Sequence, residues 1–166
     1  MATMNIRTRR GQEGQAIIEL ALTLPLLLLV VFGVFDFGFL FQRYEVVTNA
    51  AREGARVGVL PGYTVTDAEN RAIAYLNAGG VGGASVSTRT RPCGQAVTAN
   101  SRCVVASTGT LALPAVGTAP ARNVPVVTVE VQFDYPFRFV GPLMNLFGGT
   151  LGTTRIRAIS TMRAEP

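Results

Sequence analysis

Apolar positions are distributed very unevenly along this chain. From Ala16 to Phe41 they form a nearly unbroken run, AIIELALTLPLLLLVVFGVFDFGFLF, whose only ionisable groups are Glu19 and Asp36. At about 1.5 Å per helical residue the run reaches about 39 Å, more than the roughly 30 Å hydrocarbon core of a bilayer. No buried helix of a small soluble domain needs so much continuous Leu, Val and Phe, so the run predicts a membrane-crossing helix. Pro25 inside it removes one backbone donor and crowds the carbonyl of Ala21, which predicts a kink that a membrane helix tolerates. A charge well inside the bilayer costs about 2.5–3.5 kcal/mol, so each acid needs a partner or an interface. Asp36, five residues from the end of the run and with no partner visible in the sequence, is expected at the interface.

From Gln42 the helical period continues but becomes two-sided. Gln42, Glu45, Asn49, Arg52, Glu53 and Arg56 share one face, while Tyr44, Val47, Ala51, Gly54, Ala55 and Gly58 share the opposite one. The second face is narrow and built of small residues, which allows close approach of a sheet or another helix. Pro61-Gly62 ends the element, so one helix is predicted from about Ile17 to Val59, about 65 Å long. Thr66-Asp67-Ala68-Glu69 then fits a capping box, opening a second helix with Ile73, Tyr75 and Leu76 on its apolar side and Asn77 to Gly80 at its stop.

Beyond this turn the period changes from helical to alternating. Ala84 to Thr90, Cys103 to Thr108, Pro125 to Phe133 and Thr154 to Met162 are predicted strands. The third is the clearest, with Val127, Val129, Val131 and Phe133 on one side. In the fourth, Ile156, Ala158, Ser160 and Met162 oppose a face bearing Arg155, Arg157 and Arg163. The intervening PFRFVGPLMNLFGG, Pro136 to Gly149, is too apolar for a solvated loop. Covering the sheet is its expected role, with contact to a membrane surface or a partner as the alternatives.

Composition narrows the chemistry. A chain of 166 residues, less the membrane segment, holds one modest domain. All 15 basic residues are Arg, and there is no His and no Trp, which removes most familiar catalytic and metal-binding constellations. The net charge of +5 is dispersed among acids, without a basic run interleaved with aromatics, so no nucleic-acid partner is expected. Cys93 and Cys103 are the only cysteines, and outside a membrane they are expected to form a disulfide. Glu130 and Asp134 share one strand face by spacing; an ion-paired surface is the expected role, not an acid–base pair. No Ser stands in a nucleophile-elbow pattern, and neither enzymatic activity nor a metal or cofactor is expected.

Residues 1–14 form a short polar arm with Arg7, Arg9 and Arg10 against Glu13. Such an arm before an apolar run is the arrangement of a signal peptide or anchor, and it is expected to stay in the cytoplasm with the bulk of the chain outside. An ordinary cleaved secretory signal fits worse, because the run is about twice a typical h-region and no A-x-A-like site follows. The expected organisation is a basic leader (1–14), a transmembrane helix (15–41), its amphipathic extramembrane continuation (42–60) and a small extracytoplasmic α+β domain (61–166).

Gly14-Gln15-Ala16-Ile17-Ile18-Glu19 resembles the processing site of type IV pilin precursors, with a basic leader, a Gly, and an apolar helix carrying Glu at its fifth residue. The resemblance implies that a prepilin peptidase cleaves after Gly14 and leaves Gln15 as the new amino terminus. It also gives Glu19 a role: among packed apolar helices its carboxylate would meet the freed amine of an adjoining subunit. The wider segment is similar to the TadE-like family of the tight-adherence (Flp) pilus system. The similarity lies in Glu19, Ala21, Pro25 and Leu27 of an E-x-A-x-x-x-P-x-L core, the Phe35 to Gly38 exit, and the Ala50 to Arg56 run AAREGAR. A strand ending in Y-P-F and a terminal strand ending in M-R-A-E suit the same family.

The resemblance implies a pseudopilin-like α+β architecture, a long helix whose outer half lies against a small antiparallel sheet. It further implies a non-enzymatic minor pilin or assembly component in the bacterial inner membrane. The membrane, other pilins and the pilus machinery would be its partners, with Glu19, Pro25, Gly54 and Gly58 shaping helix packing between subunits. Leu20 stands where pilin precursors of this class usually carry an aromatic. An uncleaved single-pass envelope protein that presents a small β-rich domain for adhesion or scaffolding is the alternative.

Overall fold

The computed structural model describes residues 9–82, 85–86, 93, 102–115, 120–146, 148–149 and 152–164. In chain order these form α1 (Arg9–Gly58), α2 (Val65–Ala78), β1 (Ser85–Val86), β2 (Arg102–Leu113), β3 (Arg122–Pro136), α3 (Val140–Leu146) and β4 (Thr153–Arg163). The fold is α+β, with the long apolar helix first, as the sequence pattern predicts. The chain divides into two compact units. One holds Met1–Gly38 and Arg138–Leu151, the other Phe39–Phe137 and Gly152–Pro166.

In the first unit α1 opens at Arg9, ahead of the expected start at Ile17, and continues through Pro25. The Thr23 hydroxyl donates to the carbonyl of Glu19 at 2.9 Å, so this polar side chain of the apolar run is satisfied by its own helix. The first eight residues of the leader lie outside the described residues.

The second unit builds its core between the last turns of α1, α2 and one face of the sheet. Val47, Ala50, Ala51 and Ala55 of α1 are buried with Ala68, Ala72 and Leu76 of α2 and Val104, Val127, Val129, Val131 and Phe133 of the strands. The small-residue face of α1 is therefore a packing face. Tyr44, assigned to that face by spacing, is half exposed, and Ala50 takes a place in the core. Strand order is β1-β2-β3-β4, with β2–β3 and β3–β4 antiparallel and the two-residue β1 parallel to β2. Each predicted strand is present. β2 and β3 run further than expected because their far ends, Thr110–Leu113 and Arg122–Pro125, pair with one another while being largely exposed. Of the predicted strand Ala84 to Thr90, Ser85–Val86 is observed as β1 and the remainder lies outside the described residues.

The cap of α2 differs from the expected one. Thr64, not Thr66, is the N-cap, and its hydroxyl accepts from the Asp67 amide at 3.3 Å. The Asp67 carboxylate in turn accepts from the Thr64 amide at 2.8 Å. The Thr64 hydroxyl, which also donates to Asp67 Oδ2 at 2.7 Å, and after it the Thr64 amide hold the Asp67 carboxyl below the ordinary aspartate range. Both Thr64 and Thr66 offer a hydroxyl, but starting at Thr64 releases Glu69 for another task. Glu69 is buried and accepts the Ala106 amide of β2 at 3.0 Å. The carboxylate thereby satisfies a backbone donor of β2. At the other end of α2, Arg43 donates to the Gly79 carbonyl at 3.0 Å. The buried Arg102 donates to Asn77 Oδ1 at 2.7 Å and to the Val81 carbonyl at 2.9 Å. Cations placed on the last carbonyls of a helix suit its negative end.

On the opposite face of the sheet the acids are paired. Asp134 receives Arg155 Nε at 3.0 Å from the residue directly across, and Glu130 receives Arg157 Nε at 2.8 Å along the diagonal. Each carboxylate thus faces a guanidinium, which is the arrangement of a structural ion pair. Cys93 and Cys103 form the disulfide, closing a ten-residue separation at the start of β2. Opening so short a loop removes about 3 kcal/mol of stability in the chain-entropy treatment. Thermal melts of the full chain in detergent, with and without reductant, are expected to show a lower Tm after reduction, and Cys103→Ser is expected to reproduce that lower value under oxidising conditions.

Candidate functional site

The chemistry-bearing residues of this chain lie along α1, and the structure separates them into three levels. At the first, Gly14, Gln15 and Glu19 are exposed on the helix surface. Glu19 is surrounded by exposed Ile17, Ile18, Leu20 and Leu22. A carboxylate on an otherwise apolar helix face is a strong electrostatic feature in a low-dielectric setting, and it attracts a cation from whatever packs there.

The second level is the acid that sequence spacing places at an interface without a partner. Asp36 is 1% exposed, and its carboxylate is enclosed by backbone amides. Oδ1 accepts from Arg138 N at 3.0 Å, and Oδ2 accepts from Phe139 N at 3.0 Å and from Val140 N at 2.7 Å. These three consecutive amides lead into α3, whose opening donors have no partner within the helix. Charge-assisted bonds to backbone amides are among the stronger neutralising arrangements for a carboxylate. Phe139 adds packing: its ring stacks on Phe32 at 5.7 Å between centroids and meets Phe35 at 6.4 Å. The apolar segment expected to cover the sheet is, from Arg138 onward, part of the unit that contains the apolar half of α1. The three amides that donate to Asp36 belong to a segment about a hundred residues away in sequence. No side-chain pattern could have announced it.

At the third level are Gly54 and Gly58, expected to serve packing between subunits. They face this chain's own α2 and β3. A Cβ built on Gly54 would lie 2.9 Å from the Ala68 carbonyl oxygen and 3.2 Å from Val129 Cγ1; one built on Gly58 would lie 2.8 Å from Val127 Cγ1. The physical reason is close approach: the absence of side chains lets α1 pack tightly inside its own head unit. Among the described residues there is no group of three His, Cys, Asp or Glu side chains that could hold a metal ion.

Among the described residues one helix is long and apolar enough to cross a membrane, Gly14–Gly58, with a mean hydropathy of 2.6 over its most apolar stretch and none of that stretch buried. The described chain is thus an α+β protein carrying an exposed, membrane-length helix at its amino terminus. Residues 14–56 of that helix match the model of the TadE-like protein family, the family whose motifs the sequence resembles. The match spans the candidate processing site, the Asp36 exit and the Ala50 to Arg56 run. No curated protein and no solved structure matches the chain.

Proposed function

We propose that this chain is a non-enzymatic, minor-pilin-like component of tight-adherence pilus assembly. In this reading α1 holds it in the bacterial inner membrane with the leader in the cytoplasm and the second unit outside. The observation that carries the reading is the exposed apolar surface of α1 within the family match: Ile17, Leu22, Leu26 and Val34 are each more than three-fifths exposed. Apolar surface of that extent needs lipid or neighbouring helices around it. Prepilin peptidase would cleave after Gly14, and the amine of Gln15 in one subunit would meet Glu19 of another. Other pilins, pseudopilins and the pilus assembly machinery are the partners this arrangement suits.

Mass spectrometry of the mature amino terminus tests the processing step. With the peptidase present, the chain is expected to begin at Gln15, and Gly14→Leu is expected to retain the leader. An intact leader in the presence of an active peptidase would favour the second reading, an uncleaved single-pass envelope protein displaying its head for adhesion or scaffolding. The observation on that side is Leu20, which follows Glu19 where pilin precursors of this class usually carry an aromatic. Glu19→Leu separates the two further: it is expected to abolish association with pilin subunits while leaving the chain in the membrane.

A further inference from the structure

The Asp36 clamp fixes a second apolar element against α1, and its place along the helix says what surrounds that element. The roughly 20 residues from Ala16 to Asp36 rise about 30 Å, the thickness of a bilayer's hydrocarbon core. If Ala16 marks one boundary of that core, Asp36 and the amides it binds mark the other. The stretch Phe139 to Leu146 carries no charged residue. Phe139, whose ring meets Phe35, is 40% exposed and Leu146 79%; Val34, Phe35 and Phe37 of α1 are also more than half exposed.

Two features of this element suit lipid and not water. Its non-helical entry is satisfied internally, since the Arg138, Phe139 and Val140 amides end on the Asp36 carboxylate. Irregular backbone at membrane depth requires such internal partners. Its exit closes on itself as well. Gly148, at a φ of 77° that only glycine adopts readily, donates to the Asn145 carbonyl at 3.2 Å, and Gly149 donates to the Met144 carbonyl at 2.9 Å. With these amides satisfied internally, the surface left exposed is Phe139, Pro142, Asn145 and Leu146, with Leu143 and Met144 partly exposed, mostly apolar and uncharged.

The geometry points to a membrane-interface anchor: Phe139–Leu146 lies in the leaflet at the C-terminal end of the span, with Asp36 holding it there. The inference rests on the anchoring reading given above. The bound surface is the acyl–headgroup boundary of a bilayer. The unit is therefore held by a helix through the membrane and by a short element lying in its edge, which fixes rotation of α1 about its own axis as well as its depth.

The chain contains no Trp, so a single introduced Trp reports one location. Full-length Leu146→Trp and, separately, Leu26→Trp are reconstituted into phosphatidylethanolamine–phosphatidylglycerol vesicles doped with brominated phosphatidylcholines. A residue buried about 5–10 Å into the interface is expected to lose about half its emission to lipid brominated near the headgroup, and to be protected from aqueous iodide. Leu26→Trp is expected to be quenched best by lipid brominated deep in the chain. Quenching of Leu146→Trp by iodide and not by bromolipid overturns the inference and leaves the anchoring reading standing. Protection of Leu146→Trp from both quenchers overturns it in favour of a protein cover. Leu26→Trp untouched by bromolipid removes the anchoring reading and the inference together.

Discussion

Asp36→Ala is expected to free the Arg138–Leu151 segment from α1 without disturbing the sheet. The carboxylate receives three backbone amides from Arg138, Phe139 and Val140 and is almost wholly buried. Removing it leaves those donors without their acceptor, and uncompensated buried polar groups of this kind cost on the order of 3–5 kcal/mol in total. The Phe139 stack on Phe32 and Phe35 contributes about 0.5–1.5 kcal/mol per aromatic pair beyond its buried area, which cannot hold the segment alone. Trypsin reads the difference, because Arg138 sits at the clamp itself. In detergent, cleavage after Arg138 is expected to be slow in the natural chain and at least about tenfold faster in Asp36→Ala, a factor that about 1.4 kcal/mol of lost protection already provides. Asp36→Asn is the informative intermediate: it keeps one acceptor and loses the charge, so it should fall between the two. Equal cleavage rates in all three chains would show that the carboxylate does not hold the segment.

The clamp also marks the boundary of what a single sequence reveals here. The long helix, the four strands and the disulfide are legible because each rests on a local signal: an unbroken apolar run, a period of two, and two cysteines ten residues apart. The α2 cap was misplaced by two residues, since Thr64-Val65-Thr66-Asp67 offers two candidate hydroxyls. The choice depends on Glu69 reaching the Ala106 amide, a contact 37 residues away in sequence. Asp36 is expected at an interface because no partner for it is visible in the sequence. Its ligands are backbone amides, which every residue but proline carries, so no residue type could reveal them. The apolar stretch from Pro136 to Gly149 is expected to cover the sheet; from Arg138 onward it belongs instead to the unit that holds the apolar half of α1. Which apolar surface it would join is decided by that same hidden contact.

Gly54→Leu is expected to be the most damaging single change in the second unit, and to decide what the small-residue face of α1 is for. A Cβ at Gly54 already lies 2.9 Å from the Ala68 carbonyl oxygen, 3.0 Å from Ala72 Cβ and 3.2 Å from Val129 Cγ1. The first of these is backbone and the third belongs to a β-branched side chain in the middle of the core, so neither yields by a rotamer change. The rest of a leucine has nowhere to go unless α1 moves away from α2 and β3, uncovering Val47, Ala51 and Ala55. Overpacking commonly costs about 1–3 kcal/mol, and a change that separates three packed elements belongs above that range. Gly38→Leu is the control in the same helix, where a Cβ meets nothing within 4 Å. Thermal melts of the full chain in detergent are expected to show a Tm well below the natural one for Gly54→Leu and little change for Gly38→Leu. If Gly54→Leu melted normally and failed only to associate with pilin subunits, the close approach at Gly54 would be one between chains, and the packing of α1 into its own head would have to be abandoned.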